Sequence, residues 1–138
     1  MQFEAHGKFE LSLQGEIFII RFFHNWNLEG AQAFFSKYET FVKQSNLKKF
    51  GVLSNLKKFE GGTPDAIDFF EKIPDWAQTN GQVARALIMD SNLQEFTLNQ
   101  IDKEKKRFHI RAFSDETEAL TWFETLGLAI SYTGPGSD

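Results

Sequence analysis

The residues that decide the fold read FHIRAFSDETEALTWF at positions 108–123. The first six, 108–113, alternate between apolar and polar side chains over most of their length, which indicates a β-strand. Ser114 follows as a candidate helix N-cap, the acidic residues after it complement the helix dipole, and apolar residues at helical spacing continue to Phe123. Gly127 is a typical helix stop. This stretch therefore predicts one strand followed at once by one helix.

The rest of the chain shows the same alternation of strands and helices. Periodicity and β-propensity predict strands at 9–13, 16–23, 50–56, 83–89 and 108–113, of which the first two form an N-terminal hairpin. Helices are predicted at 28–42, 64–73, 93 to about 103 and after Ser114, with a break at Pro74 and a short further piece at 76–77. The order ββαβαβαβα predicts an α/β fold with a five-stranded, mostly parallel sheet, because strands that alternate with helices pair in parallel through right-handed crossovers.

Length and composition indicate a single intracellular domain. The chain has 138 residues, which suits one hydrophobic core, and we expect a folded part at about 5–127 and a flexible tail at 128–138. Cysteine is absent and no signal peptide is visible. The longest apolar run, 17–23, is interrupted by Arg21 and is too short to span a membrane. A cytoplasmic protein without stable membrane insertion is the expectation.

The sequence contains no recognisable pattern for catalysis, metal binding or nucleic-acid binding. The three histidines lie on different predicted elements without metal-type spacing, and neither a Gly-x-Ser-x-Gly elbow nor a phosphate-binding loop is present. The net charge of −4 argues against binding along a nucleic-acid backbone. We therefore expect a non-enzymatic protein without cofactor or metal, which works by binding.

Sixteen phenylalanines are the unusual feature of the composition. Large aromatic side chains are mostly core residues, which favours a phenylalanine-rich core. The alternative is an apolar ligand cavity or a large buried interface. Phe59 and Trp76 flank the glycine-rich segment at 61–62 and are candidate walls of such a pocket.

Three arginines fall in the middle of predicted strands, where arginine is uncommon without a partner: Arg21, Arg85 and Arg111. If helices cover one face of the sheet, strand alternation would place all three on the other, open face beside apolar side chains. Such a surface should not face water bare, so it would dock a second copy of the chain or a protein partner. The alternative is that the N-terminal segment covers this face and that acidic neighbours pair the arginines.

A second candidate site lies where the third strand leads into the next helix. Gly61 and Gly62 precede Thr63, which is a candidate N-cap of that helix. Lys57 and Lys58 stand beside the free amides of the helix start. Together these residues predict a small anion-binding site.

Two phrases, RALIMD at 85–90 and the stretch at 108–123, resemble the SpoIIAA-like branch of the STAS superfamily, which includes anti-sigma-factor antagonists. The second phrase looks like that family's closing strand, acidic cap and Ala-Leu-x-Trp-Leu helix, and the resemblance covers about 5–127. It implies a SpoIIAA-like fold with helices mainly on one face of the sheet, and a regulatory protein-interaction module. The alternative function is a carrier or sensor of a small apolar or anionic, lipid-like ligand, because STAS domains are related to Sec14-type lipid carriers.

The chain departs from this family at one functional position. The antagonists carry an Asp-Ser-Ser-Gly-like phosphoacceptor at the start of the helix after the third strand, whereas residues 60–65 here read EGGTPD. Thr63 is the only hydroxyl in this segment, so the resemblance makes it the phosphoacceptor-equivalent position. A role as helix N-cap explains the same threonine without phosphorylation.

Overall fold

Five strands form one mixed sheet whose strand order follows the order along the chain. The computed structural model describes residues 4–90, 101 and 103–131. The strands are β1 (Lys8–Gln14), β2 (Ile17–Trp26), β3 (Phe50–Gly62), β4 (Gln82–Ile88) and β5 (His109–Phe113). β1 pairs antiparallel with β2, and every later neighbour pairs in parallel. The predicted α/β class, the N-terminal hairpin and the mostly parallel sheet are confirmed.

The helices whose bounds lie within the described residues are α1 (Leu28–Ser45), α2 (Pro64–Phe70), α3 (Ile73–Thr79) and α4 (Glu116–Thr125). Ile101, Lys103 and Glu104 are also helical, while most of the helix predicted at 93–103 lies outside the described residues. The predicted break between α2 and α3 occurs before Pro74, which lies in the first turn of α3. A proline is tolerated there because the amide it lacks would have no partner within the helix.

Helix capping follows the prediction at α1 and differs at α4. Asn27 Oδ1 accepts a hydrogen bond from the Gly30 amide at 2.8 Å, as an N-cap should. At α4 the N-cap is Asp115 and not Ser114, because Asp115 Oδ1 accepts from the Glu118 amide at 2.8 Å. A carboxylate at this position satisfies a free amide and also offsets the positive end of the helix dipole.

The first face of the sheet is covered by α1, α2 and α3. Phe18 and Phe22 of β2 belong to this face and pack their rings against Tyr38 and Phe34 of α1. Phenylalanine therefore builds much of this core, as the favoured interpretation of the composition expected. The buried members of the cluster are Phe18, Ile20, Phe22, Trp26, Phe34, Tyr38, Val42, Phe50, Val52, Leu56, Leu87 and Met89.

The second face of the sheet is covered by α4, so the expectation of an open face is wrong. Phe123 of α4 is fully buried against Gly51, where an added Cβ would lie 2.7 Å from the Phe123 ring. Ala84 and Ala86 of β4 are buried in the same cluster. These small residues let the helix approach the sheet closely. The helices thus lie mainly on one face, as predicted, with α4 on the other.

The folded part of the chain extends beyond the predicted boundary at 127. Leu128 is buried in the cluster under α4. The Glu16 amide donates to the Ala129 carbonyl oxygen, and the Ala129 amide donates to Glu16 Oε1, each at 2.8 Å. The segment up to Ser131 is therefore fastened to the β1–β2 turn, and the remainder of the predicted tail, 132–138, lies outside the described residues.

β3 is longer than predicted and reaches Gly62 instead of residue 56. Its pairing with β4 ends at Asn55, whereas pairing with β2 continues to the end of the strand. Register shifts interrupt this later pairing, and His24 at one of them has a φ of 68°. Bulges of this kind twist a strand and redirect its side chains. The extension presents residues 57–62 at one end of the sheet.

Candidate functional site

The three mid-strand arginines do not share a face. Arg21 and Arg111 belong to the second face, on strands separated by β3 and β4. Arg85 is aligned with Val52 and lies on the first face, beneath the helices. The hypothesis of one arginine-bearing surface is therefore wrong. Alternation fixes the faces within each strand, but the register between strands decides which face a given residue joins.

Arg21 fastens α4 to the sheet through an ion pair. Its Nε and Nη2 donate to the two carboxylate oxygens of Glu116 at 2.9 and 2.7 Å, and Asn55 Nδ2 donates to Glu116 Oε2 at 2.8 Å. Glu10 lies 3.9 Å from the guanidinium. The hydrogen bonds from Arg21 in particular lower the pKa of Glu116. This pairing of Arg21 by acidic neighbours is the alternative that the sequence left open.

We expect Glu116→Gln to lower the free energy of unfolding by about 1 kcal/mol at neutral pH, because the Arg21 side chain is 38% exposed and water screens the pair. The folded pKa of Glu116 lies below its unfolded value, so its contribution is complete above about pH 4.3 and is lost as the pH falls through the folded pKa. Urea unfolding at about pH 7 and about pH 3 measures this difference.

The matched control for that prediction is Glu118→Gln, on an exposed residue of the same helix. It should change the stability by less than about 0.5 kcal/mol at either pH. An equal loss from Glu116→Gln at both pH values would contradict the assigned ion pair.

The end of the second face beyond Arg21 carries a lysine patch, which consists of Lys8, Phe23, Lys57 and Lys58. Lys8 of β1 and Lys58 of β3 are the register partners of Phe23 on either side. Lys8 Nζ lies 5.2 Å from the centre of the Phe23 ring, within the range of a cation–π contact. The three lysines are exposed and Phe23 is half-buried. The patch therefore combines positive charge with an accessible aromatic ring.

The predicted anion site at the start of α2 is not favoured by the geometry. Thr63 has the extended backbone of an N-cap, but its side chain does not cap the helix, and its hydroxyl instead donates to Asp65 Oδ1 at 2.5 Å. The same oxygen of Asp65 accepts from the Ala66 amide at 3.0 Å. A carboxylate thus already occupies the position that an anion would take. Thr63 is exposed, and its equivalence to a phosphoacceptor stays a prediction.

The predicted glycine-rich segment forms the end of β3. Gly61 has a φ of 106°, a conformation that glycine adopts without strain. Gly62 is aligned with Trp26 of β2 and is exposed. The structure therefore places Gly61 and Gly62 on the same extension of β3 as Lys57 and Lys58, and Thr63 follows the strand directly.

A cavity of about 90 Å³ lies on the first face, between the sheet and the α2–α3 pair. Phe59 lines it, as predicted, whereas Trp76 packs its ring on Phe35 and Tyr38 of α1. Most of the wall is apolar. The lining residues are Ile20, Phe22, Phe34, Tyr38, Val52, Ser54, Leu56, Phe59, Ile67, Phe70, Glu71, Ile73, Pro74, Gln82, Arg85 and Leu87.

The polar part of the cavity wall is centred on Arg85. Its Nη1 donates to both carboxylate oxygens of Glu104 at 2.7 and 2.8 Å, and its Nε donates to Ser54 Oγ at 3.3 Å. Glu104 is only 2% exposed. Burial raises the pKa of Tyr38, so this phenol in the same wall stays neutral. Sequence reasoning missed Glu104, because a glutamate within the charged run at 102–107 is typical of a solvated helix end.

The described residues contain no group of three or more histidine, aspartate or glutamate side chains able to hold a metal ion. None of the helices found among these residues has the length and apolar character that a membrane span requires.

Arg111 is exposed on β5, with its guanidinium 5.3 Å from the centre of the Phe113 ring. Within the part of the chain that the structure describes, the lysine patch and the cavity are the candidate sites, and they lie on opposite faces of the sheet.

Comparisons with solved structures match most of the chain. An uncharacterized DUF3478-family protein with a SpoIIAA-like fold from Shewanella loihica PV-4 is 14% identical, with a TM-score of 0.67 over 88% of this chain and 97% of that chain. The anti-sigma factor antagonist SpoIIAA in its unphosphorylated form is 14% identical, with a TM-score of 0.60 over 86% and 97% of the two chains. The Bacillus cell fate determinant SpoIIAA in its phosphorylated form is 13% identical, with a TM-score of 0.56 over 84% and 99%.

No protein-family model matches the sequence, and the comparison with curated proteins gives no significant match. The structural matches cover nearly the full length of each related chain. The chain therefore has the SpoIIAA-like fold, and the predicted resemblance to the SpoIIAA-like branch of the STAS superfamily is confirmed at the level of the fold.

Proposed function

We propose that this chain is a non-enzymatic regulatory module that binds an acidic protein partner through the lysine patch. The observation that carries this proposal is the row formed by Lys8, Phe23 and Lys58 across three strands. An accessible aromatic ring supplies apolar contact area, and the lysines around it favour a partner of opposite charge.

The charge distribution supports an acidic partner. The chain as a whole carries a net charge of −4, yet Lys8, Lys57 and Lys58 gather at one end of one face. Such a local positive field steers acidic partners into place and repels basic ones. The neighbouring Arg21 is already paired with Glu116. The lysines of the patch form no salt bridge with another described residue, so they provide most of the positive charge that a partner would meet on this surface.

The fold comparison supports a regulatory role, although it does not identify the partner. One protein of the same fold is an anti-sigma factor antagonist, and the proposal extends regulation by protein binding from that protein to this chain. We place the chain inside the cell for the same reason. A second copy of the chain, which the sequence offered as one of two possible partners of the arginine-bearing face, becomes an alternative occupant of the lysine patch.

The test is affinity capture from the native cell with the wild-type chain, the Lys8→Glu/Lys58→Glu double variant and Phe23→Ser. We expect each patch variant to bind the captured protein about tenfold more weakly than the wild type does. High salt should also weaken binding by the wild type, because it screens the charge of the lysines. Cross-linking of the captured complex should map to residues 57–58.

The matched control is Lys37→Glu/Lys106→Glu, which makes the same charge change at two exposed lysines away from the patch. It should retain the partner. Equal capture by the patch variants and the control would refute the proposal. Light scattering on the purified chain tests whether a second copy occupies the lysine patch. A dimer of the wild type that dissociates in the patch variants would identify the second copy as the occupant in place of another protein.

A further inference from the structure

The cavity on the first face is much larger than a packing defect that a single water molecule would fill. It measures about 90 Å³, whereas one water needs only ~10–15 Å³ by a comparable measure. Its wall is mostly aromatic and aliphatic, from the sheet on one side and from α2 and α3 on the other. Dry apolar cavities of the same order, ~150 Å³, bind molecules of the size of benzene.

The polar part of this wall is built to receive a hydrogen-bond acceptor. Arg85 uses Nη1 for Glu104 and Nε for Ser54. Among the described residues no group accepts from Nη2, although the Arg85 side chain keeps 21% of its surface accessible. Arg85 lines the cavity, and Ser54 fixes the plane of its guanidinium. A donor in a fixed orientation next to apolar walls is the usual arrangement of a small-molecule site.

The charge balance of the wall selects against anions. Glu104 contacts Arg85 through both oxygens, so the pair is neutral as a unit. A carboxylate ligand that reached Arg85 would lie close to the buried Glu104 carboxylate, and like charges in a region of low dielectric repel strongly. A neutral carbonyl or hydroxyl oxygen can accept from Arg85 without that cost.

We infer that the cavity is a binding site for a small, uncharged, largely apolar molecule with one hydrogen-bond acceptor that faces Arg85. This function goes beyond the lysine patch, which lies on the opposite face of the sheet. Of the ligand classes that the sequence left open, the geometry selects the apolar one and not the anionic one.

The α2–α3 pair forms part of the cavity wall opposite the sheet. Glu71 and Asp75 connect these short helices to the chain before β5, through Lys103 at 3.0 Å and Arg107 at 2.6 Å. At least one side chain of each pair is more than half exposed. Exposed ion pairs of this kind contribute little, so the apolar contacts of the two helices with the core, and not these pairs, hold them over the cavity.

The test is titration of the isotope-labelled full chain with benzamide and with benzoate, followed by ¹H–¹⁵N NMR. The two probes have the same shape and differ in charge. We expect saturable shifts at the cavity-lining residues with benzamide and binding at least about tenfold weaker with benzoate. Glu104→Gln, which removes the repelling charge and keeps the shape, should strengthen benzoate binding about tenfold.

Occupation of the cavity itself is tested by Val52→Phe, which fills it, and by Ile67→Phe, which fills it from the more exposed α2 side. Both should abolish benzamide binding. The matched control is Val83→Phe, which adds the same ring at an exposed position of β4 outside the cavity wall and should bind as the wild type does. Shifts that do not saturate, tighter binding of benzoate than benzamide, or unchanged binding in both folded filled variants would overturn the inference.

Discussion

Replacing Arg85 with methionine is expected to lower the free energy of unfolding by about 3–5 kcal/mol. The Glu104 carboxylate is 2% exposed and has both oxygens within 2.8 Å of Arg85 Nη1. Methionine leaves this carboxylate buried without its cation, and an unpaired buried charge is costly. Urea unfolding followed by tryptophan fluorescence measures the change.

The double variant Arg85→Met/Glu104→Leu separates the loss of charge balance from the loss of packing. Removal of both charges also removes the cost of burying them, so its stability should return to within about 1–2 kcal/mol of the wild type. Arg111→Met makes the same substitution on the neighbouring strand at an exposed site, and it should change the stability by less than about 0.5 kcal/mol. A loss from Arg85→Met no larger than from Arg111→Met would show that the pair is not buried in solution.

The parts of the fold that the sequence predicted depend on local signals. The alternation at 108–113, the N-cap at Asn27 and the hairpin at the N-terminus each arise within a few residues, so periodicity and capping chemistry suffice to find them. Even here, neighbours compete: Asp115 caps α4 in place of Ser114, because two adjacent residues could each serve. The overall α/β order follows from these local elements and the rule of parallel crossovers.

The candidate sites were less predictable because they depend on contacts distant in sequence. Arg85 was assigned to the wrong surface, since the face that it joins is set by alignment with Val52, 33 positions earlier in the numbering. Glu104 gave no signal, because only its partner distinguishes it from the solvated charges beside it. Lys8 joined the lysine patch through pairing with Phe23, a register that neither residue specifies alone.

The face of the sheet that α4 covers could not be predicted from local sequence either. Its apolar stripe predicts a buried helix but does not say which face of the sheet it covers. Gly51 lies against Phe123, and Ala84 and Ala86 are buried in the same cluster, so small residues of two strands lie beneath α4. Small residues in buried strands indicate close helix packing, but the side on which the helix packs can be assigned only when the strand register is known.

Phe34 is the second position at which truncation should be severe. Phe34→Ala is expected to lower the free energy of unfolding by about 3–5 kcal/mol. The side chain is 2% exposed and joins α1 to β1, β2 and α2. Its ring centre lies 5.1–6.2 Å from those of Phe9, Phe22, Trp26, Tyr38 and Phe70. Urea unfolding of the purified variant measures the loss.

Two comparisons show whether this loss comes from the buried aromatic cluster. Phe34→Leu keeps most of the volume and should cost roughly 1–1.5 kcal/mol. Phe69→Ala removes an identical ring from a half-buried position on α2 and should cost about 1 kcal/mol. Because Phe34 also lines the cavity, its truncation enlarges that space, and the loss combines the transfer of the ring with the added empty volume. If Phe34→Ala and Phe69→Ala proved equally costly, the first face would not be organised around the phenylalanine cluster.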